Sequence, residues 1–400
     1  MKKLMCKILI VPIFLCVIRT HAQVSYEVYA RFLNDYPAGT SPWPQPWGVQ
    51  VQGLAHDQDN WFITQTGFDD DPGIWKIPLS HDLDGEATPG EDGIAVTYRS
   101  HWPQLSGYEH FGDLDYSEGY LFVPVEVGDY PVAVFRASDL AYICRASLSE
   151  RQHHVPWCAV FNRVLYSCNY GDEDTPDEHD VKIFRYFIDW ARLVNANQIV
   201  FTKVDTLNLL QANGYPESIS GIQGGEISPD GKLLYLVAGR TGLRDVWNNY
   251  GIYVFDLSTK KEILRSTNGT GLFNYEFDTQ NLEEPEGMTI WDLDGGSNPL
   301  GQLHVLLFDN KVTPIPYTPC VTGWYHFWIK HYTNAIWVDG TVEEGGDGRL
   351  TNKYKTIIAA NDFAWNGAKI KISAGSYPEA LTISKIVKLE AIGGTVTIGK

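Results

Sequence analysis

The 400-residue chain carries 31 Lys and Arg against 49 Asp and Glu, a formal net charge of −18. Nucleic acids and anionic membranes are held by clustered cations that displace counterions, so this balance excludes both as principal partners. Thirteen Trp, 22 Tyr and 37 Gly beside only three Met point to a β-rich chain, in which aromatics pack on pleated surfaces and glycines turn corners.

At the N-terminus, Lys2, Lys3 and Lys7 precede an apolar run from Ile8 to Ile18 and the short stretch His21-Ala22-Gln23. This order reads as a secretory signal peptide over residues 1–23, because the apolar run is too short to span a bilayer. Export is therefore expected, to the extracellular space, the cell surface or a periplasm, and no later segment reads as a membrane span. Removal of the leader leaves Cys144, Cys158, Cys168 and Cys320 in an oxidising compartment. Cys158 and Cys168 flank a turn at Asn162-Arg163 and are candidates to pair across neighbouring strands; free buried thiols are the alternative for the other two.

Between Gly53 and Thr333 one arrangement recurs: a Gly- or acid-containing loop, an apolar strand, a tight turn and a further strand. Taking Leu54, Leu114, Ala159, Ile227 and Met288 as equivalent anchors, the second strands are Trp61–Thr64, Tyr120–Val123, Val164–Ser167, Leu233–Leu236 and Leu303–Leu307. Third strands follow at Ile74–Ile77, Val132–Phe135, Lys182–Tyr186, Ile252–Asp256 and Tyr325–Tyr332. Small antiparallel sheets repeated at this period predict an all-β fold with a β-propeller over 24–334, since no unit buries both its faces alone. About five blades are expected, similar in plan to secreted five- or six-bladed propellers. A sixth would have to lie in Ile94–Trp102 or Ile199–Leu210, and a β-sandwich is the competing architecture. The strand from Tyr26 to Phe32 is expected to complete the last blade and remove a free sheet edge.

From Ile336 the pattern changes. Trp337-Val338-Asp339-Gly340, Gly345-Gly346-Asp347-Gly348, Tyr354 to Ile357, Asn366 to Ile372, Ala374 to Glu379 and Leu381-Thr382-Ile383 follow one another in an order that resembles the opening of right-handed parallel β-helix proteins of the pectin-lyase-like family. The resemblance covers 335–400 and implies a capping helix from Lys355 to about Trp365, then the first coils. The alternation of Ile370, Ile372, Leu381, Ile383, Val387, Leu389, Val396 and Ile398 is read as inward-facing. It also implies a polysaccharide context, although the family's catalytic residues lie on later coils.

Chemistry is expected where loops enter the innermost strands and converge on the axis. The candidates are His110, Asp113, Asp115, His153, His154, Glu226, Glu284 and Glu286. Among them Asp113, His154, Glu226 and Glu286 form the proposed metal set, suited to calcium or another divalent cation. Glu284-Pro285-Glu286-Gly287 resembles the acid–Gly entrances of propeller hydrolases of the gluconolactonase and paraoxonase kind, which hold a channel metal; the recurring Asn ligands of those enzymes are absent at matching places. Asp113 with Glu226 or Glu286 is a further pairing of the kind that cleaves glycosidic bonds. Gly-x-Ser-x-Gly, HExxH and a phosphate-cradling Gly loop are all missing, so no nucleophile is assigned. Trp43, Trp47, Trp61, Trp102, Trp157, Trp247 and Trp324 offer one or two sugar-stacking platforms. The resulting expectation is a binding or recognition protein for glycan or polysaccharide, with a protein partner as a further option. The alternative is a metal-dependent hydrolase or polysaccharide-degrading enzyme acting in the channel.

Overall fold

A computed structural model describes residues 31–36, 50–66, 71–81, 83, 87–108, 110–126, 129–148, 152–169, 181–239, 251–267, 283–291, 302–309, 326–333, 335–346, 348, 350, 352–364, 368–383 and 385–399. The expected leader, Trp43, Trp47, Trp247, Trp324 and Cys320 lie outside these residues. Among the described residues no helix is long and apolar enough to cross a membrane.

The chain opens with β1 (Arg31–Tyr36). A first sheet follows, made of β2 (Val51–His56), β3 (Asn60–Gln65), β4 (Gly73–Pro78) and β5 (Ala95–Tyr98) in that order. The second sheet contains β6 (His110–Phe111), β7 (Asp115–Ser117), β8 (Tyr120–Glu126), β9 (Pro131–Arg136) and β10 (Tyr142–Ser147), with both β6 and β7 paired to β8. In the third are β11 (Ala159–Phe161), β12 (Val164–Ser167), β13 (Lys182–Ile188) and β14 (Phe201–Asn208), the helix α1 (Trp190–Ala196) lying between the last two. The fourth comprises β15 (Ile222–Ile227), β16 (Leu233–Ala238), β17 (Gly251–Asp256) and β18 (Lys261–Thr267). The fifth is ordered β1-β21-β20-β19, from β19 (Glu283–Trp291), β20 (Gln302–Asp309) and β21 (His326–Thr333).

This is an all-β, propeller-like arrangement. The expected second and third strands fall within strands of these sheets, save Tyr325, which lies outside the described residues, and the first four units each gain a fourth, outer strand. Ile94–Trp102 and Ile199–Leu210 therefore hold outer strands β5 and β14, not a hidden sixth blade. The count of like blades also differs from the expected five: four sheets share the four-stranded plan. The second sheet departs from it because its inner strand breaks at Gly112–Leu114. There Asp113 leaves its own ladder to form a parallel bridge with Trp157 of the third unit, donating to the Pro156 carbonyl at 2.8 Å and accepting from Cys158 N at 3.1 Å.

Apolar side chains alternate along each strand and so cover both faces of every sheet. Trp61 and Trp75 of the first sheet pack with Trp291 and Leu306 of the fifth, while Phe62 and Ile74 meet Phe111, Val123 and Phe135 of the second. Phe122 and Val134 meet Leu165 and Tyr186, Tyr166 and Ile183 meet Leu234 and Phe255, and Tyr235 and Val254 meet Met288 and Val305. The succession of contacts returns to where it began. Burial on both faces explains why β16 is buried along its whole length. The chain's own beginning does complete the last sheet: β1 pairs antiparallel with β21, Arg31 opposite Thr333 and Tyr36 opposite Ile329. Of the expected strand, Arg31 and Phe32 belong to β1, and Tyr26 to Ala30 lie outside the described residues.

Residues 335–399 form a three-stranded parallel sheet, β22 (Ala335–Val338), β23 (Lys369–Tyr377) and β24 (Lys388–Ile398), with the helix α2 (Ile357–Phe363) in the first crossover. Thr356 caps α2 by accepting from Ala359 N at 3.1 Å, and the Glu379 carboxylate accepts from Ile357 N and Ile358 N at 3.0 and 2.8 Å. Both satisfy amides that the first helical turn leaves unbonded. The expected inward alternation holds on β23, where Ile370 and Ile372 are buried. Beyond it the pattern divides: Leu381, Val387 and Val396 are partly buried against the same core, whereas Ile383, in the second crossover, and Leu389 and Ile398, on the edge strand β24, are 43%, 37% and 38% exposed.

The expected Cys158–Cys168 pairing is also overturned. Ala159 lies opposite Tyr166, so extending the ladder sets Cys158 against Ser167 and Cys168 against Trp157, on opposite faces of the sheet. Cys158 Sγ contacts the Phe122 carbonyl, whereas Cys168 Sγ accepts from Trp157 Nε1 at 3.0 Å, and both thiols are free. Peptide mapping of unreduced protein should recover Cys158 and Cys168 in thiol form; a Cys158–Cys168 disulfide peptide would contradict this register.

Candidate functional site at the axis

Three inner strands carry the same local irregularity. Their ladders shift register between Val51 and Gly53, between Ile222 and Gly224, and between Pro285 and Gly287. Each shift is a one-residue bulge, which bends a strand and re-aims its main chain. In every case the residue after the glycine turns its amide to one acceptor: Leu54 N donates to Asp113 Oδ1 at 3.0 Å, and Gly225 N and Met288 N donate to Oδ2 at 3.2 Å each. Asp113 is fully buried. With its main chain tied to Pro156 and Cys158, this one residue is bonded to the first, third, fourth and fifth sheets from its place in the second.

Close approach requires glycine here. A Cβ on Gly287 would lie 2.4 Å from Asp113 Oδ1 and 2.8 Å from the Gly53 Cα, well inside van der Waals contact. One on Gly224 would lie 2.8 Å from Asp113 Oδ2 and 2.9 Å from the Gly287 Cα. The expected open channel is therefore filled by main chain and the Asp113 carboxyl at this level. The anchor register is corrected too: Leu54 and Met288 supply axial amides, but in the second and fourth units the axial residues are Asp113 and Gly225, not Leu114 and Ile227.

Asp115 and Glu226 follow Asp113 and Gly225 along their chains. Asp115 is buried and accepts from Tyr116 N at 2.6 Å and from Val160 N. Glu226 is half-buried, accepts from Ile227 N at 2.7 Å and bonds the Thr289 hydroxyl. Burial is the main cause that pushes all three carboxyls upward, Asp115 to about 7, and amide donors oppose it. The nearby Asp115 adds repulsion at both Asp113 and Glu226. Cys158, beside them, is pushed up by burial and by the same acids.

The other candidates are placed differently. Glu286 is the buried bulge residue of β19, before the amide that reaches Asp113. Glu284 lies on β19 opposite Phe308, and its side chain is outside the described residues. His110 lies on β6 with Nδ1 3.3 Å from Thr66 Oγ1. The main-chain amides of His153 and His154 donate to Asn169 Oδ1 at 3.1 and 3.3 Å, and the His154 ring packs 5.3 Å from that of Tyr130. Among the described residues no three His, Cys, Asp or Glu are grouped so as to hold a metal ion. Trp61, Trp102 and Trp157 are 2%, 6% and 0% exposed, so they pack between sheets and are not sugar platforms.

Acids whose folded-state value is raised favour the protonated form in the native protein, so their contribution to stability is full in acid and is lost as pH rises through the folded value. Relative to wild type, Glu226→Gln should gain roughly 2–4 °C in Tm as pH rises from about 5 to about 8, across the Asp115 value near 7. A gap that stays constant over this range would contradict the axial repulsion.

No family model matches this chain, and no curated protein matches it. Among solved structures, one titled "Crystal Structure of Mitotic Checkpoint Complex" is similar over 83% of this chain and 99% of that chain, at 10% identity and a TM-score of 0.34.

Proposed function

We propose that this chain is a secreted or cell-surface recognition protein for neutral glycan, built on a rigid ring. The observation behind this reading is the use made of Asp113. Both of its oxygens accept from main-chain amides of other sheets, a bonding pattern that commits most of the carboxyl group's acceptor capacity to fixing the scaffold. The net charge of −18 disfavours polyanionic partners and leaves neutral saccharides compatible.

The parallel sheet supports the finer reading of 335–400 as the opening of a pectin-lyase-like β-helix. Ile336, Ile370 and Leu389 stand in one register across its three strands, as successive coils of a solenoid would, with α2 covering the first crossover. The rival reading, a metal-dependent hydrolase or polysaccharide-degrading enzyme, needs Asp113, His154, Glu226 and Glu286 as ligands, and Asp113 faces three N–H donors instead. Screening the full chain on an array of neutral and acidic glycans should give binders confined to the neutral set, unchanged by chelator. An array without neutral binders, or a bound divalent ion whose removal abolishes binding, would overturn the proposal.

A further inference from the structure

The three bulges that deliver amides to Asp113 also place three polar side chains at equivalent positions. They are Gln52, Gln223 and Glu286, each immediately before the glycine that packs on the axis. The glycines touch: the Cβ position of Gly287 is 2.8 Å from the Gly53 Cα, and that of Gly224 is 2.9 Å from the Gly287 Cα. Consecutive Cα atoms are about 3.8 Å apart, so the preceding residues begin within the span of one small ligand. All three lie on the N-terminal side of the Asp113 level, the side away from Asp115 and Glu226.

Two of these side chains have no partner among the described residues. Gln52 and Gln223 are half-buried and make no side-chain hydrogen bond among the described residues. A third amide joins them: Gln65 stands opposite Val51, directly before the first bulge. It is 3% exposed, and its Oε1 has no partner among the described residues. Buried amides in folded proteins are nearly always bonded, and leaving one unmet is costly. That cost falls on Gln65, whose buried Oε1 is unmet, while Gln52 and Gln223 keep half-exposed amides unengaged by the protein's own bonding, and the three together point to a ligand.

We propose that Gln52, Gln65 and Gln223, with Glu286 beside them, form a hydrogen-bonding ring at the mouth of the axis that binds a neutral, hydroxyl-rich ligand of the saccharide class. An amide both donates and accepts, which matches a hydroxyl in either role. A single carboxylate adds an acceptor without the charge density that a cation site requires. This assignment rests on the glycan reading above and gives it a location.

The test is calorimetric titration of cello-, xylo- and manno-oligosaccharides into the full chain and into Gln52→Ala and Gln223→Ala, with Tm measured for each protein. The proposal expects wild-type binding, and about 5- to 30-fold weaker binding in each variant, the loss that goes with one or two hydrogen bonds, at unchanged Tm. Wild-type binding that both variants retain would overturn the site while leaving the glycan reading intact. Failure of the wild type to bind any neutral saccharide would overturn the glycan reading, and this site with it. Should either alanine variant fail to fold, Gln52→Glu and Gln223→Glu keep the shape, remove the donor and carry the same expectation.

Discussion

A buried carboxyl group that accepts three main-chain amides from three other sheets is the constraint on which this fold depends. Sheets packed side by side through apolar faces have no directional reason to stop at one radius or one rotation. Asp113 supplies the direction, because its two oxygens fix where the inner strands of the first, fourth and fifth sheets must end their approach. Its main chain fixes the third. Each amide would cost about 1–3 kcal/mol if buried unmet, so the three together are comparable with the net stability of an ordinary domain, about 5–15 kcal/mol.

The same constraint explains the local sequence. A bulge, a glycine and an amide donor recur on three inner strands, because only a re-aimed main chain without a side chain can come within reach of the carboxyl. In the second unit the donor position is taken by Asp113 itself, and its inner strand is broken as a result. The acids beyond it share the burial without sharing its three amides, which leaves Asp115 and Glu226 in mutual repulsion.

Much of the architecture was legible in the sequence. The runs Trp61–Thr64, Val164–Ser167 and Leu233–Leu236 are apolar on both faces, and the turn at Asn162-Arg163 has the left-handed φ values of 49° and 63° that a tight hairpin needs. The outer strands were not legible, because β10 and β14 are largely half-exposed and carry little alternation. Axial register was missed by one residue at Leu114 and two at Ile227, since a strict period of two cannot register a bulge. Asp113 read as a metal ligand because a lone acid beside a glycine looks the same from sequence whether it meets a cation or an amide. Gln52 and Gln223 passed unnoticed, as glutamine carries no signature; the recurring glycine after each was the available signal.

The central claim is that one carboxyl group coordinates amides remote in sequence, and native-state hydrogen exchange tests it most directly. In Asp113→Asn an NH2 group replaces one of the two accepting oxygens. Protection at Leu54, Gly225 and Met288 should then fall together, while interior amides such as Tyr235 keep theirs. Unchanged protection at all three would show that the sheets hold their places without the Asp113 carboxyl group.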